Sequence, residues 1–268
     1  MLLSQVRYPF NLFFLFYCIL ALFLLPGFCF AGADLNQLIQ DRLSKDKKTL
    51  DLSGAKIGPK GAKVLADMEL LSGVETLLLQ GNLIKYRGVK ALTRSPYAIN
   101  LKHLDLWGNM IGDLGLKALS DSPYIKALEV LKLWKNEIGD ESLALISGSS
   151  NFQRVKTLML NNNLVTPIGA GYLANPKAFP KLETLNLFRN EIGDGGALAL
   201  AHSKPFVNLK SLYIGENNLS DLGAVAIIKS DSFPNLETLD MVKNHLGEET
   251  FIAVFKYNKD RKVQIITR

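Results

Sequence analysis

From Leu50 onward every twenty-seventh residue is leucine, through Leu77, Leu104, Leu131, Leu158, Leu185 and Leu212 to Leu239. Two residues beyond each stands another apolar side chain, from Leu52 and Leu79 to Ile214 and Met241. Five beyond comes asparagine, at Asn82, Asn109, Asn136, Asn163, Asn190, Asn217 and Asn244. Eight units without insertion or deletion exclude chance. An exact period of this length makes a chain a solenoid, in which each unit buries its apolar edge against its neighbours. The functional question becomes which surface is used, not which pocket.

Within a unit, alternation predicts a strand. Leu104 and Leu106 point inward, leaving His103, Asp105 and Trp107 on the other face. The Asn column reads as a ladder whose amides satisfy backbone groups in the turn leaving each strand. Asp113, Asp140, Asp194 and Asp221 then sit where an N-cap or first-turn acid belongs. Pro59 and Pro167 share that column, and proline is tolerated in a first helical turn. Apolar residues follow at helical spacing, as at Leu116, Ala118 and Leu119, and Gly115, Gly196 and Gly223 let neighbouring helices lie close. Residues 34–46, with Leu35, Leu38, Ile39 and Leu43 at helical spacing, are expected to form a capping helix before eight repeats over 47–262. Val263 and Ile266 fall in the register of an uncompleted ninth unit, so 263–268 should be a short edge strand.

The run Leu-Glu-Thr-Leu-Asn-Leu-Phe-Arg-Asn-Glu-Ile at 182–192 resembles the leucine-rich repeat signature, and the resemblance covers residues 47–268. The following Ile-Gly-Asp-x-Gly-Ala-x-Ala-Leu resembles the ribonuclease-inhibitor-like subclass, which includes the Ran GTPase-activating proteins and the repeats of innate immune receptors. The resemblance implies an α/β horseshoe, with a parallel sheet on the concave face and helices on the convex one. No functional residue is carried over from that family, because a shared repeat does not transfer a site.

Residues 1–33 are of another kind. Arg7, the apolar run Leu12–Leu25, Pro26-Gly27 and Ala31-Gly32-Ala33 read as a secretory signal peptide cleaved after Ala33. The competing reading is an uncleaved anchor over residues 12–31, the one route by which the chain would meet a membrane. Both cysteines, Cys18 and Cys29, lie in this leader, so the mature part has none. The chain is expected to be exported, to the medium or the periplasm and cell envelope. In a eukaryote, Asn218-Leu219-Ser220 would be a glycosylation acceptor.

Catalysis finds little to work with. His103, His202 and His245 fall in different columns and no cysteine remains to pair with them, so spacing assembles neither a zinc site nor a Cys-His nucleophile. Gly193-Asp194-Gly195-Gly196 lacks the Lys-Ser/Thr of a phosphate loop. No catalytic residue, metal or cofactor is expected.

The informative positions are those the repeat leaves free. Trp107 and Trp134 share a column on adjacent strands, about 4.8 Å apart in the pairing direction. Phe188 and Tyr213 extend the aromatic surface, with Asp105, Lys132, Lys135 and Arg189 among them. Exposed aromatics beside Lys and Arg are what binding hot spots are made of. Charges on this face cancel: Lys132, Lys135, Arg189 and Lys243 stand against Asp51, Asp105, Glu216 and Asp240. A nucleic-acid reader would show a basic stripe, so no nucleic acid is expected. The net +6 includes lysines such as Lys63 and Lys90 on helical segments, a solvated face. The reading is a non-enzymatic module binding a protein partner through its concave face. The alternatives are a regulator of a small GTPase, acting in a host if a bacterium delivers it, and a carbohydrate or cell-wall binder.

Overall fold

A computed structural model describes residues 32–204, 206–259 and 262–268. The body of the expected leader, the alternative anchor and both cysteines lie outside the described residues. Among the described residues no helix is long and apolar enough to cross a membrane.

Each unit places its repeating leucine at the centre of a three-residue strand: β1 Thr49–Asp51, β2 Thr76–Leu78, β3 His103–Asp105, β4 Val130–Lys132, β5 Thr157–Met159, β6 Thr184–Asn186, β7 Ser211–Tyr213 and β8 Thr238–Asp240. With β9 Gln264–Ile266 they form one parallel sheet in sequence order. Parallel neighbours need a crossover, and helices supply it: α2 Gly58–Ala66, α3 Lys85–Thr93, α4 Gly112–Ser120, α5 Asp140–Ile146, α6 Pro167–Leu173, α7 Gly193–Ala201, α8 Asp221–Lys229 and α9 Glu248–Tyr257. Strands repeat at about 4.8 Å while packed helices need about 8–10 Å. The helical side therefore takes the longer arc and the sheet becomes concave. One continuous core between the layers runs from Leu35 to Ala253.

Three ladders hold the units together. The Asn column works as its spacing predicts. Asn109 accepts from the backbone N–H of Asn82 (3.1 Å) and Ile84 (3.3 Å) and donates to the carbonyls of Leu79 (2.8 Å) and Leu106 (2.9 Å). The acidic column does something the sequence reading did not anticipate. Asp113, Asp140, Asp194 and Asp221 are first-turn residues, but they cap the helix of the following unit. Asp194 accepts from Ser220 N (2.8 Å), Ser220 Oγ (2.6 Å) and Gly223 N (3.0 Å), and Asp140 accepts from Thr166 N (3.0 Å). The third ladder precedes each strand, where Lys48, Glu75, Lys102, Glu129, Lys156, Glu183, Lys210 and Glu237 alternate in charge from unit to unit. Glu75 is bridged by Lys48 (3.1 Å) and Lys102 (2.9 Å). A slip of one unit would set like charges side by side, so the alternation disfavours mispairing of near-identical repeats.

At the start, α1 Gly32–Arg42 buries Leu35 and Ile39, and Leu43 bridges Leu50 antiparallel. At the other end the period breaks. Ile265, not Ile266, pairs with Leu239. Just before this strand the Asn258 side chain donates to Val263 O (2.7 Å) and accepts from Val263 N (2.9 Å).

Candidate functional site on the concave face

Trp107 and Trp134 follow β3 and β4 at the same register and stack with centroids 4.9 Å apart and planes 19° from parallel. Each remains 41% exposed. Two polar atoms on the neighbouring surface are buried without a hydrogen-bond partner: His103 Nε2, on β3, and Asn161 Oδ1, in the same column as the tryptophans. Such atoms are uncommon in a folded interior. Burial, reinforced by Lys132 and opposed by Asp105, holds the His103 imidazole below the ordinary histidine range.

The other expected site residues divide. Asp105 is buried at 3% exposure and committed internally. It accepts from Trp107 N (3.1 Å) and Gln80 Nε2 (2.9 Å) and lies 3.5 Å from Lys132 Nζ. Its place is beneath the surface, as the post that orients Lys132 and the Trp107 backbone. Lys135 is exposed. Arg189 bridges Glu216 (2.6 Å), which Lys243 bridges in turn (2.7 Å). Phe188 and Tyr213 are half-buried. The Phe188 ring lies over Gly215, where an added Cβ would come within 2.6 Å of it. Asn161 separates it from Trp134, so the aromatics form two groups, not one strip.

A second feature borders the tryptophans. Where each strand turns towards its helix, one column is left-handed in all eight units. Gly54, Gly81 and Gly108 have φ of +67°, +65° and +65°, and Lys135, Asn162, Arg189, Glu216 and Lys243 lie between +50° and +56°. In the first three units the column is bare backbone, and a groove of about 960 Å³ runs over it. Trp107 lines one side and Leu83 and Met110 the other, with Leu164 further along. The sequence reading missed these three apolar residues. Their signal was present: the residue after the ladder position is apolar only there, and is Lys56, Glu137, Glu191, Asn218 or His245 elsewhere. Among the described residues no group of three or more His, Cys, Asp or Glu could hold a metal ion.

A leucine-rich repeat family model matches residues 48–66, 97–120, 180–201 and 207–227. No curated protein matches the chain. Among solved structures, the chain is similar to a TDR receptor (14% identity, TM-score 0.42), covering 87% of this chain and 44% of that one. It is similar also to the plant peptide hormone receptor RGFR1, solved in complex with RGF2 (14% identity, TM-score 0.32), over 74% of this chain and 44% of that one. For the Rad7 and Elc1 complex in yeast the figures are 14% and 0.29, over 87% and 86%. The chain thus spans less than half the length of the two receptors. Four matched repeats, set in one parallel sheet whose strands alternate with helices, give this chain the fold of a leucine-rich repeat solenoid.

Proposed function

We propose that the chain is an exported, non-enzymatic protein-binding module of the ribonuclease-inhibitor-like subclass, working through the concave face around Trp107 and Trp134. The observation that carries this reading is the exposed tryptophan stack. The solenoid is held by buried leucines and the ladders, and it needs no large aromatic on the solvent side of the sheet. Two buried orphan polar atoms, Asn161 Oδ1 next to Trp134 in its column and His103 Nε2 at the start of the strand that leads to Trp107, fit a surface that a partner completes. The full α-helix in every unit supports the subclass, and the apolar run with its Ala-x-Ala site supports export.

With the chain as bait, Trp107→Ala plus Trp134→Ala is expected to abolish partner capture, since a central hot spot is worth about 2 kcal/mol or more. The fold should lose only the stacking contribution, about 0.5–1.5 kcal/mol. Lys63→Ala plus Lys90→Ala, on the exposed convex face, should leave capture intact. Capture that survives the tryptophan change and fails with the lysine change would move the binding face to the convex side. For export, N-terminal sequencing of the native protein should read Asp34, and an intact Met1 would favour the anchor.

A further inference from the structure

Leu83 and Met110 carry two costs at one place. Both are held left-handed, at φ of +53° and +54°, a conformation that disfavours residues with a Cβ. Both also expose about half their surface, 50% and 46%. Neither cost helps the fold, because the same column accepts Lys56, Glu137 and Asn218 at φ of +54°, +60° and +58°. An outlier that the scaffold does not require points to function. Between them and Trp107 lies the glycine floor. The Cβ positions of Gly54 and Gly81 meet nothing within 4 Å, so the floor is open. Three glycines on successive strands span about 10 Å, the length of about three extended residues.

Charge selects the occupant. Lys135 lines the groove, and Lys56 and Lys85 stand two residues beyond its lining residues Gly54 and Leu83; all three are exposed and none is in an ion pair among the described residues. Glu137 opposes them in the groove lining, while Asp51 and Asp105 are engaged beneath it, Asp51 by Ser53 and Asp105 by Gln80 and Lys132. In units 6 to 8 the corresponding cations, Arg189 and Lys243, are spent on Glu216. We infer that the groove over Gly54, Gly81 and Gly108 docks an extended peptide segment of the partner in which apolar and acidic side chains are interleaved. The apolar side chains lie between Trp107 and the Leu83–Met110 wall, and the carboxylates meet the three lysines. This rests on the concave-face reading and names the partner's chemistry.

Random dodecapeptides displayed on phage and selected against the full chain should enrich segments mixing Asp or Glu with Leu, Phe or Trp. A fluorescein-labelled peptide of an enriched sequence then reports affinity. Changing its acids to amides should weaken binding roughly tenfold and flatten its salt dependence. Gly81→Asn plus Gly108→Asn fills the floor with the residue unit 5 carries there, Asn162 at φ +55°, and should weaken binding at least roughly tenfold. Leu83→Asn plus Met110→Asn is the second variant, which copies Asn218 of the same column, and should act alike. The proposal is overturned if no peptide enriches, if enriched peptides lack acids, or if chitin or cellulose oligomers bind there instead. It is overturned too if both groove variants keep the peptide. Should the tryptophan double change then lose it, the concave-face reading stands without the groove; if that change also keeps it, both readings fall.

Discussion

Units 1 to 3 and units 6 to 8 share one backbone and use it oppositely. In both, the residue leaving the strand is left-handed. The early units place glycine there and keep the space above it open, with apolar residues on the rim. The late units place Arg189, Glu216 and Lys243 there, and the three join in a bridged row. The helices differ in the same sense. Asp194 and Asp221 cap the next helix in the late units, while Pro59 and Tyr86 hold that column in the first two. Fold geometry is thus common property, and the side chains decide whether a stretch is closed upon itself or left available.

The largest expected effect tests what the halves share. Asn163 makes five hydrogen bonds through its side chain, to Asn136 N, Ile138 N, Leu133 O, Leu160 O and Asn161 O. Asn82, facing the first unit, makes three; one of the two lost is that of Ala55 N, which turns to Leu52 O instead. Asn163→Ala should therefore cost about 3 kcal/mol and Asn82→Ala about 1–2 kcal/mol in denaturant melts. Equal losses would mean that the array fails as one unit whichever rung is cut.

Next comes the staple that the first two units lack. Asp194→Ala strips Ser220 N, Ser220 Oγ and Gly223 N of their acceptor. A loss of about 1–2 kcal/mol is expected, as for a helix cap. Hydrogen exchange should localise it to the start of α8, and a loss spread evenly over the chain would argue against a local cap.

A third pair of changes inverts the comparison directly. Gly81→Ala adds a left-handed Cβ to the open floor and should destabilise by about 1 kcal/mol. Lys135→Gly removes one and should stabilise by somewhat less, since the unfolded chain gains freedom. Each moves the melting temperature by about 2–4 °C per kcal/mol, in opposite directions. Matching signs would mean that the left-handed turn is not what the column selects for.

How much of this was legible in the sequence follows from what repetition reveals. The Leu column is invariant and the Asn column is broken only at Ala55, so strand, core and ladder could be read from spacing alone. Tertiary partners were harder. Asp194 looks like an acid for its own helix, because a one-dimensional reading cannot see that the next helix begins closer to its carboxylate. Ile266 sat in the arithmetic register, and only the pairing itself shows that Ile265 takes the place, next to the bonds that Asn258 makes to Val263. The alternating Lys48-to-Glu237 column was fully visible, but its period is two units rather than one. The groove was hidden because it is defined by missing side chains. Gly54, Gly81 and Gly108 mean little until the left-handed turn shows that no side chain stands above them.

The smallest expected effect concerns the late units' bridged row. Lys243 and Arg189, each hydrogen-bonded to Glu216, hold its carboxyl below the ordinary glutamate range. A folded-state value below the unfolded one means that the ionised form is favoured by folding. The stabilisation is therefore fully present above about pH 4.3, the unfolded glutamate value, and is lost as pH falls through the lower folded value. Glu216→Gln should accordingly lower the melting temperature slightly at neutral pH, with the difference closing as the pH falls through the folded value. High salt should shrink the neutral-pH difference, because the row is exposed to solvent. The early units offer the control. Lys135→Gln removes a cation with no ion-pair partner and should show neither the acid convergence nor the salt dependence. Were Lys135→Gln to follow the same pH curve as Glu216→Gln, Lys135 would be paired in solution, and the contrast between an open early groove and a closed late row would fail.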